Sequence, residues 1–230
     1  MKSETWKASM QAFLAYRYLK MKEITSKSRL AMVLSSLEGF KAPKVRQEQY
    51  QMDGEIGATI IWNASFLEDI RGKVIADLGC GTGILGIGTL LLGAKSVFFV
   101  DFDKTALETA EKNILKVKSE GYSLGDVEII NKDIRELKIK ADVVIQNPPF
   151  GTKIKHNDLV FLKRAIEIAP VVYSFHKSES KVFLEGFSAK NNVKITHSWD
   201  FRFPLKASFE FHRRQIHRIG VSCFRFAANE

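Results

Sequence analysis

Residues 74–83 read Val74-Ile75-Ala76-Asp77-Leu78-Gly79-Cys80-Gly81-Thr82-Gly83, and an almost unbroken apolar run continues to residue 92. A short apolar segment that ends in an aspartate and a glycine-rich turn, followed by a helix-length apolar segment, predicts three elements. They are a buried strand over 73–77, a tight turn, and a buried helix over about 83–92. Glycines in that turn permit positive φ and let the backbone approach a ligand closely. In open α/β sheets such a turn sits at the carboxyl ends of the strands, where ligands bind near the topological switch point.

Strand and helix continue to alternate downstream. Strands are expected at 96–101, 127–130, 142–146 and 171–175, and helices at 57–67, 104–119, 158–169 and 178–190. Two long alternating segments, 193–203 and 209–226, are separated by a short loop containing Pro204 and read as an antiparallel hairpin. The expected fold class is α/β: a doubly wound, mostly parallel, seven-stranded Rossmann-like sheet with a C-terminal antiparallel hairpin. Upstream, Trp6, Met10, Phe13, Leu14 and Met21 fall on one helical stripe, as do Leu30, Val33, Leu34 and Leu37. Thr25 and Ser26 are possible N-caps of the second run, Gly39 is its stop signal, and Pro43 ends any continuation. Residues 1–50 therefore read as an N-terminal helical extension packing on a domain formed by 51–230.

The chain has 230 residues, 45% hydrophobic and 27% charged, enough for a sizeable core. Its longest apolar stretch, 83–94, is too short to cross a bilayer, and the first residues lack the apolar region of a secretory signal. Cys80 and Cys223 make neither a disulfide framework nor zinc-ligand spacing. A cytoplasmic location is expected, with no membrane and no metal. The net charge of +9 divides unevenly: residues 1–50 carry 10 Lys/Arg against 4 Asp/Glu, residues 51–150 carry 11 against 15, and residues 151–230 carry 14 against 7. An acidic middle of −4 lies between basic ends of +6 and +7. Such ends suit a polyanionic partner, although ordinary surface lysines give the same totals.

The glycine turn admits two cofactor classes. Gly81-Thr82-Gly83-Ile84-Leu85-Gly86 fits the dinucleotide pattern G-x-G-x-x-G, and Asp101, twenty residues after Gly81, suits a ribose in either case. Asp77-x-Gly79-x-Gly81-x-Gly83 instead resembles motif I of class I S-adenosylmethionine-dependent methyltransferases. Gly79 and Gly81 would let the turn face the methionine and ribose portions. Asp101 can accept both ribose hydroxyls. Asp133, just after the third strand, can accept the adenine amine, with Ile134 donating from its backbone. A helix N-cap at Asp103 and a plain turn aspartate at Asp133 are the structural alternatives.

Asn147-Pro148-Pro149-Phe150 follows the fourth strand. Two prolines stop the sheet ladder and stiffen the turn, so Asn147 and Phe150 project from the carboxyl edge. The run resembles motif IV of amino-methyltransferases, N-P-P-F or N-P-P-Y. An exocyclic amine is a poor nucleophile because its lone pair is delocalised into the ring. The Asn147 side-chain oxygen and the Pro148 carbonyl can accept the two amine hydrogens and hold the nitrogen in line, by positioning and electrostatics without a strong base. Phe150 offers a π-face to a base swung out of its stack. Cys80 and Cys223 have no catalytic partner arrangement and read as packing residues.

Taken together, the chain resembles the small-subunit ribosomal RNA adenine-N6 methyltransferases, the methyltransferase-like five family and its archaeal relatives. The resemblance rests on residues 37–50 (LEGFKAPKVRQEQY), 77–83 (DLGCGTG), 100–107 (VDFDKTAL) and 147–153 (NPPFGTK). It continues in Phe161-Leu162-Lys163, in 172–177 (VYSFHK) and in 204–213 (PLKASFEFHR). It implies a class I methyltransferase sheet using S-adenosylmethionine. Cofactor contacts would come from Gln49, Tyr50, Asp77, Gly79, Gly81, Thr82, Ile84, Asp101, Asp133 and Ile134, with Asn147, Pro148, Pro149 and Phe150 as the catalytic loop. Departures are Gln51-Met52 where members commonly have Pro-Thr, and Thr82 where animal members have Cys. Residues 1–24 have no counterpart in the short animal proteins, and their aromatic and basic content would serve RNA binding or packing. The resemblance also implies a small zinc-binding activator protein paired with an exposed sheet edge, for which the third strand is the candidate.

Basic residues gather beside the expected substrate cleft: Lys153 and Lys155 after the catalytic loop, and Arg202, Lys206, His212, Arg213 and Arg214 on or near the hairpin. Alternation there predicts one apolar and one basic face, the latter a phosphate track for ribosomal RNA. The leading reading is methylation of adenine N6 in small-subunit rRNA. The alternatives are another amino group (a release-factor glutamine amide, guanine N2 or DNA adenine) and a non-catalytic RNA-binding assembly factor.

Overall fold

Strand β1 (Val74–Leu78) is flanked in parallel by β2 (Ser96–Asp101) and β4 (Val143–Gln146) in the computed structural model. The structure describes residues 22–41, 43–44, 49–150, 157–205 and 217–229. From β1 the chain winds one way to β2 and β3 (Asp126–Asn131), and from β4 the other way to β5 (Val171–Lys177). The antiparallel pair β6 (Val193–Leu205) and β7 (His217–Ala228) completes a seven-stranded sheet of order β3-β2-β1-β4-β5-β7-β6. The reversal of winding between β1 and β4 opens a crevice at their carboxyl ends. The expected fold class is what the chain adopts.

Burial explains why these segments are strands. Every residue of β4 and the last four of β1 are buried, as in a strand covered on both faces, whereas β3 is exposed or half-buried along its length and forms one edge. One face carries α1 (Lys27–Ser35), α2 (Gly54–Phe66), α3 (Ile84–Leu91) and α4 (Lys104–Ser119). The other carries α5 (Asn157–Ile168) and α6 (Lys181–Lys190). Ser26 caps α1, accepting from the Arg29 amide at 3.2 Å, and Leu30, Val33, Leu34 and Leu37 are buried as expected. Of the N-terminal extension expected over residues 1–50, residues 1–21, 42 and 45–48 lie outside the described residues. Lys22 bridges to Tyr122 beside α4.

Three expectations need correction. Pro204, expected in the connecting loop, lies within β6 opposite Arg218 of β7. Helix α2 begins at Gly54, not at residue 57, because Asp53 is its N-cap and accepts from the amides of Glu55 and Ile56 at 2.9 and 3.2 Å. Gly54 looks like a poor helix residue, yet a Cβ there would stand 2.7 Å from the Ser35 backbone nitrogen, so only glycine lets α1 and α2 pack this closely. Among its described residues the hairpin does not divide cleanly into one apolar and one basic face. β7 lies between β5 and β6, and residues 221–224 are buried on both sides. In β6 a bulge between Ile195 and His197 reverses the alternation. Val193 and Ile195 pack on the α5/α6 face, whereas Trp199, Phe201 and Phe203 pack on the opposite one.

Candidate active site

The crevice predicted by the switch point is a cleft of about 390 Å³ over the carboxyl ends of β1, β2 and β4, within the usual range for a small-molecule site. Its first wall is the turn after β1. Gly79, Gly81 and Gly83 have φ of 65°, 54° and 85°, the left-handed region that favours glycine. A Cβ on Gly81 would lie 2.7 Å from the Phe40 ring, and one on Gly79 2.9 Å from the Phe161 ring. The turn is therefore bare backbone because two aromatic rings close over it.

Two acids define the electrostatics. Asp77 is 1% exposed. Its Oδ2 accepts from the Gly86 amide at 2.8 Å, while Oδ1 is buried without a hydrogen-bond partner among the described residues. Burial pushes its carboxyl up to about 7; the Gly86 amide works against that shift and the neighbouring Asp101 adds to it. Asp101, at the end of β2, accepts from the amides of Gly81 (2.9 Å) and Asp103 (2.8 Å). Burial raises its carboxyl too, against those two amides. A buried carboxylate oxygen with no partner invites a cationic or hydrogen-donating ligand.

The described residues 38–41, 43–44 and 49–52 form a strap against this wall. Asn113, buried on the inward face of α4, donates to the carbonyls of Glu38 (3.0 Å) and Thr82 (2.9 Å) and accepts from the Glu38 amide (2.8 Å). Asp103 caps α4 through Thr105 and also receives Lys44 Nζ (2.8 Å) and Gln49 Nε2 (2.7 Å). Burial works to raise the Asp103 carboxyl, but these donors outweigh it and hold it below the usual range. The N-cap reading of Asp103 is thus correct. Gln49, Tyr50 and Met52 line the cleft from this strap, and Met52 is also part of the core.

The far wall is the turn after β3. Asp133 caps a short 3-10 turn (Ile134–Glu136), accepting from the Arg135 amide at 2.9 Å and from its guanidinium at 2.9 and 2.5 Å. The Arg135 hydrogen bonds hold the Asp133 carboxyl low. Asp133 is therefore a turn-capping residue as well as part of the cleft lining, which it shares with Ile134. The third element is the loop after β4, where Asn147, Pro148, Pro149 and Phe150 all line the cleft. Asn147 Oδ1 is buried and has no partner among the described residues. Phe150 is fixed edge-on against Phe203 at 6.2 Å.

Every residue expected to hold a cofactor, and all four of the catalytic loop, thus line one cleft. Thr82 and Ile84 come from the start of α3, and Cys80, whose thiol burial pushes up, fills the turn as a packing residue. Of the expected RNA-binding residues, Arg202 is exposed on β6. Lys153, Lys155, Lys206, His212, Arg213 and Arg214 lie outside the described residues. Sequence reasoning missed Phe40, Phe102, Lys132, Arg135, Val160 and Phe161 as lining residues, and Asn113 as the strap's anchor. Asn113 did carry a signal: an amide on the apolar stripe of Leu107, Ala110, Ile114 and Val117. Among the described residues no cluster suits a metal ion, and no helix is long and apolar enough to cross a membrane.

Residues 55–172 match the family model of the methyltransferase small domain. The chain is 38% identical to an uncharacterized protein of Methanocaldococcus jannaschii, over 86% of this chain and 93% of that one. It is 33% identical to the rRNA N(6)-adenosine-methyltransferase METTL5 of Danio rerio, over 90% of this chain and 99% of that one. A solved structure from Pyrococcus horikoshii, provisionally assigned as an RNA methyltransferase, superposes with a TM-score of 0.81 at 42% identity and covers 90% of this chain and 100% of its own.

Proposed function

The chain belongs to the methyltransferase small domain family and is an S-adenosylmethionine-dependent methyltransferase, and from that premise we propose that it methylates N6 of an adenine in small-subunit ribosomal RNA. The single observation that carries this reading is the placing of Asn147-Pro148-Pro149-Phe150, with its unpartnered buried Asn147 oxygen, in the same cleft as Asp77 and Asp101. The residues fit the cofactor. The open Asp77 oxygen suits its cationic amino-acid portion, Asp101 its ribose hydroxyls, and the turn at Asp133 and Ile134 its adenine. Gly79, Gly81 and Thr82 of the bare turn line the same space, and Gln49, Tyr50 and Ile84 complete its walls. When bound, S-adenosylmethionine supplies a methyl group on a positively charged sulfur.

The remaining work falls to the chain. Asn147 Oδ1 and the Pro148 carbonyl accept the two hydrogens of the adenine amine and turn its lone pair toward the cofactor. The two prolines keep those acceptors fixed, so that orientation is set before the reaction. As the new N–C bond forms the nitrogen releases one proton, and water can take it without a buried base. Phe150, braced by Phe203, stacks on the extruded base. Arg202 and the basic residues 153, 155, 206 and 212–214 would follow the RNA backbone. The open edge of β3 would pair with an activator protein.

The name of the Danio rerio relative supports adenine N6 over guanine N2 or an amide side chain. The test is incubation with labelled S-adenosylmethionine and total rRNA, with mapping of the modified base. Asn147→Ala is expected to abolish transfer while leaving cofactor affinity within a few fold. Transfer that persists in that variant, or label found in protein alone, would overturn the reading.

A further inference from the structure

Behind the catalytic loop, on the face covered by α5, runs a line of hydrogen-bonded polar side chains in an otherwise apolar layer. Gln146, the residue before Asn147, is fully buried, and its Nε2 donates to Ser174 Oγ at 2.9 Å. Ser174, its register partner on β5, is also fully buried, and its Oγ lies 2.8 Å from His176 Nε2. His176, two residues on and on the same face, is fully buried and places Nδ1 3.3 Å from Asp158 Oδ2 in the first turn of α5. Burial works to raise the Asp158 carboxyl, but the His176 hydrogen bond and the backbone amides of Asp158 and Leu159 outweigh it and hold the group low.

The donor and acceptor roles run in one direction. Because Gln146 donates to Ser174, the serine has its own proton to give to His176 Nε2. That nitrogen is then the acceptor, and the ring proton sits on Nδ1 facing Asp158. The arrangement has the members of a hydrolytic triad, yet all but Asp158 are sealed from solvent and none lines the cleft. It cannot attack a substrate. What it does connect are two pieces of the cleft: Gln146 leads into the catalytic loop, and Asp158 begins the helix whose Val160 and Phe161 line the cleft beside it. Three fully buried polar groups and a half-buried carboxylate in an apolar layer cost more than an apolar packing of the same shape, so a role in positioning accounts for them better than stability does.

We infer that Ser174, His176 and Asp158 are positioning residues, which act through Gln146 to fix the catalytic loop against helix α5. The inference rests on the assignment of Asn147 as the group that orients the amine. Loosening of such a support typically lowers turnover by about 10–100-fold, because displacement of roughly 1 Å is enough. Ser174→Ala leaves Gln146 Nε2 and His176 Nε2 without their partner, and Ser174→Thr restores the hydroxyl. With the full chain, labelled S-adenosylmethionine and total rRNA, Ser174→Ala should lower kcat about 10–100-fold. Its KM for RNA and Kd for S-adenosylmethionine should stay within about twofold of the wild type, and Ser174→Thr should recover most of the loss. A matching readout is nitrogen NMR of labelled histidine. His176 should carry its proton on Nδ1 in the wild type and in Ser174→Thr, and lose that preference in Asp158→Ala.

Wild-type kcat in folded Ser174→Ala would overturn the proposal. So would a loss shared equally by kcat, cofactor affinity and melting temperature and not recovered by Ser174→Thr, since that pattern marks a merely structural role. The two readings fail separately: an active Asn147→Ala sinks the catalytic assignment, whereas an inactive Asn147→Ala with a fully active Ser174→Ala sinks only this one.

Discussion

Asp77→Asn gives the sharpest test of the electrostatics. Burial holds the folded-state carboxyl at about 7, against 3.8 for an unperturbed aspartate. Between those two values the native state binds a proton that the unfolded chain has released. Stability is therefore highest below the unfolded value and falls as pH rises through the window, by about 1.36 kcal/mol per pH unit. From pH 5 to the plateau above 7 this amounts to roughly 2.7 kcal/mol. The asparagine variant keeps an acceptor for the Gly86 amide and does not titrate. Its buried NH2 adds a pH-independent cost of about 1–3 kcal/mol. The measurement is therefore a difference of slopes: melting temperatures of both proteins, without cofactor, from pH 5 to 8. Wild type should lose ground to the variant by roughly 5–11 °C across that range, given about 2–4 °C per kcal/mol at this chain length. Parallel curves would refute the argument, because they would mean that Asp77 is ionised, and therefore hydrated or paired, throughout.

The same carboxyl should be seen during binding. A cationic ligand beside Asp77 favours its ionised form, so S-adenosylmethionine binding at pH 7 should release about half a proton more from the wild type than from Asp77→Asn, measured by calorimetry in buffers of different ionisation enthalpy; equal proton counts would place the cation elsewhere. Gly81→Ala puts a Cβ 2.7 Å from the Phe40 ring at a φ of 54° and should weaken cofactor binding at least tenfold. Gly72→Ala, also at positive φ but with open space around it, should cost about 1–2 kcal/mol of stability and leave binding unchanged, and equal effects at both sites would mean that backbone strain alone is being read. Asp69→Ala removes the acceptor of Arg225 (2.7 and 3.1 Å) and of the Tyr173 hydroxyl (2.5 Å), which ties the turn after α2 to β5 and β7. Leaving that guanidinium unpaired should destabilise by about 3–5 kcal/mol in urea titrations, and a loss under 1 kcal/mol would show that water replaces the carboxylate.

The fold was legible because its central strands β1 and β4 are buried on both faces and therefore read as apolar runs of the right length, each closed by a turn. Legibility failed where one local choice served a distant neighbour. Gly54 looked like a helix breaker because nothing nearby announces that Ser35 needs the space. The bulge in β6 was invisible because Thr196 fits the alternation on either side of it, and only pairing with β7 shows that the faces exchange. At the site, Asp77, Asp101 and Asn147 declared themselves as polar residues ending apolar strands. Phe40 and Phe161 did not, because their role is to lie over glycines that come close only in the fold. The line from Gln146 to Asp158 was unreadable for the same reason: its four members come from three elements, and serine and histidine in a strand carry no signal until their register is known.

The division of charge along the chain also changes meaning at the site. Residues 51–150 are formally −4, but two of those acids, Asp77 and Asp101, are raised by burial, so the cleft holds less negative charge before ligand binds than a count suggests. Charge that appears only beside a cation costs the free protein little and favours the cationic ligand over a neutral one. The acidic middle and the basic flanks therefore differ in kind: one is a charge that responds to its ligand, the other a fixed charge suited to a polyanion.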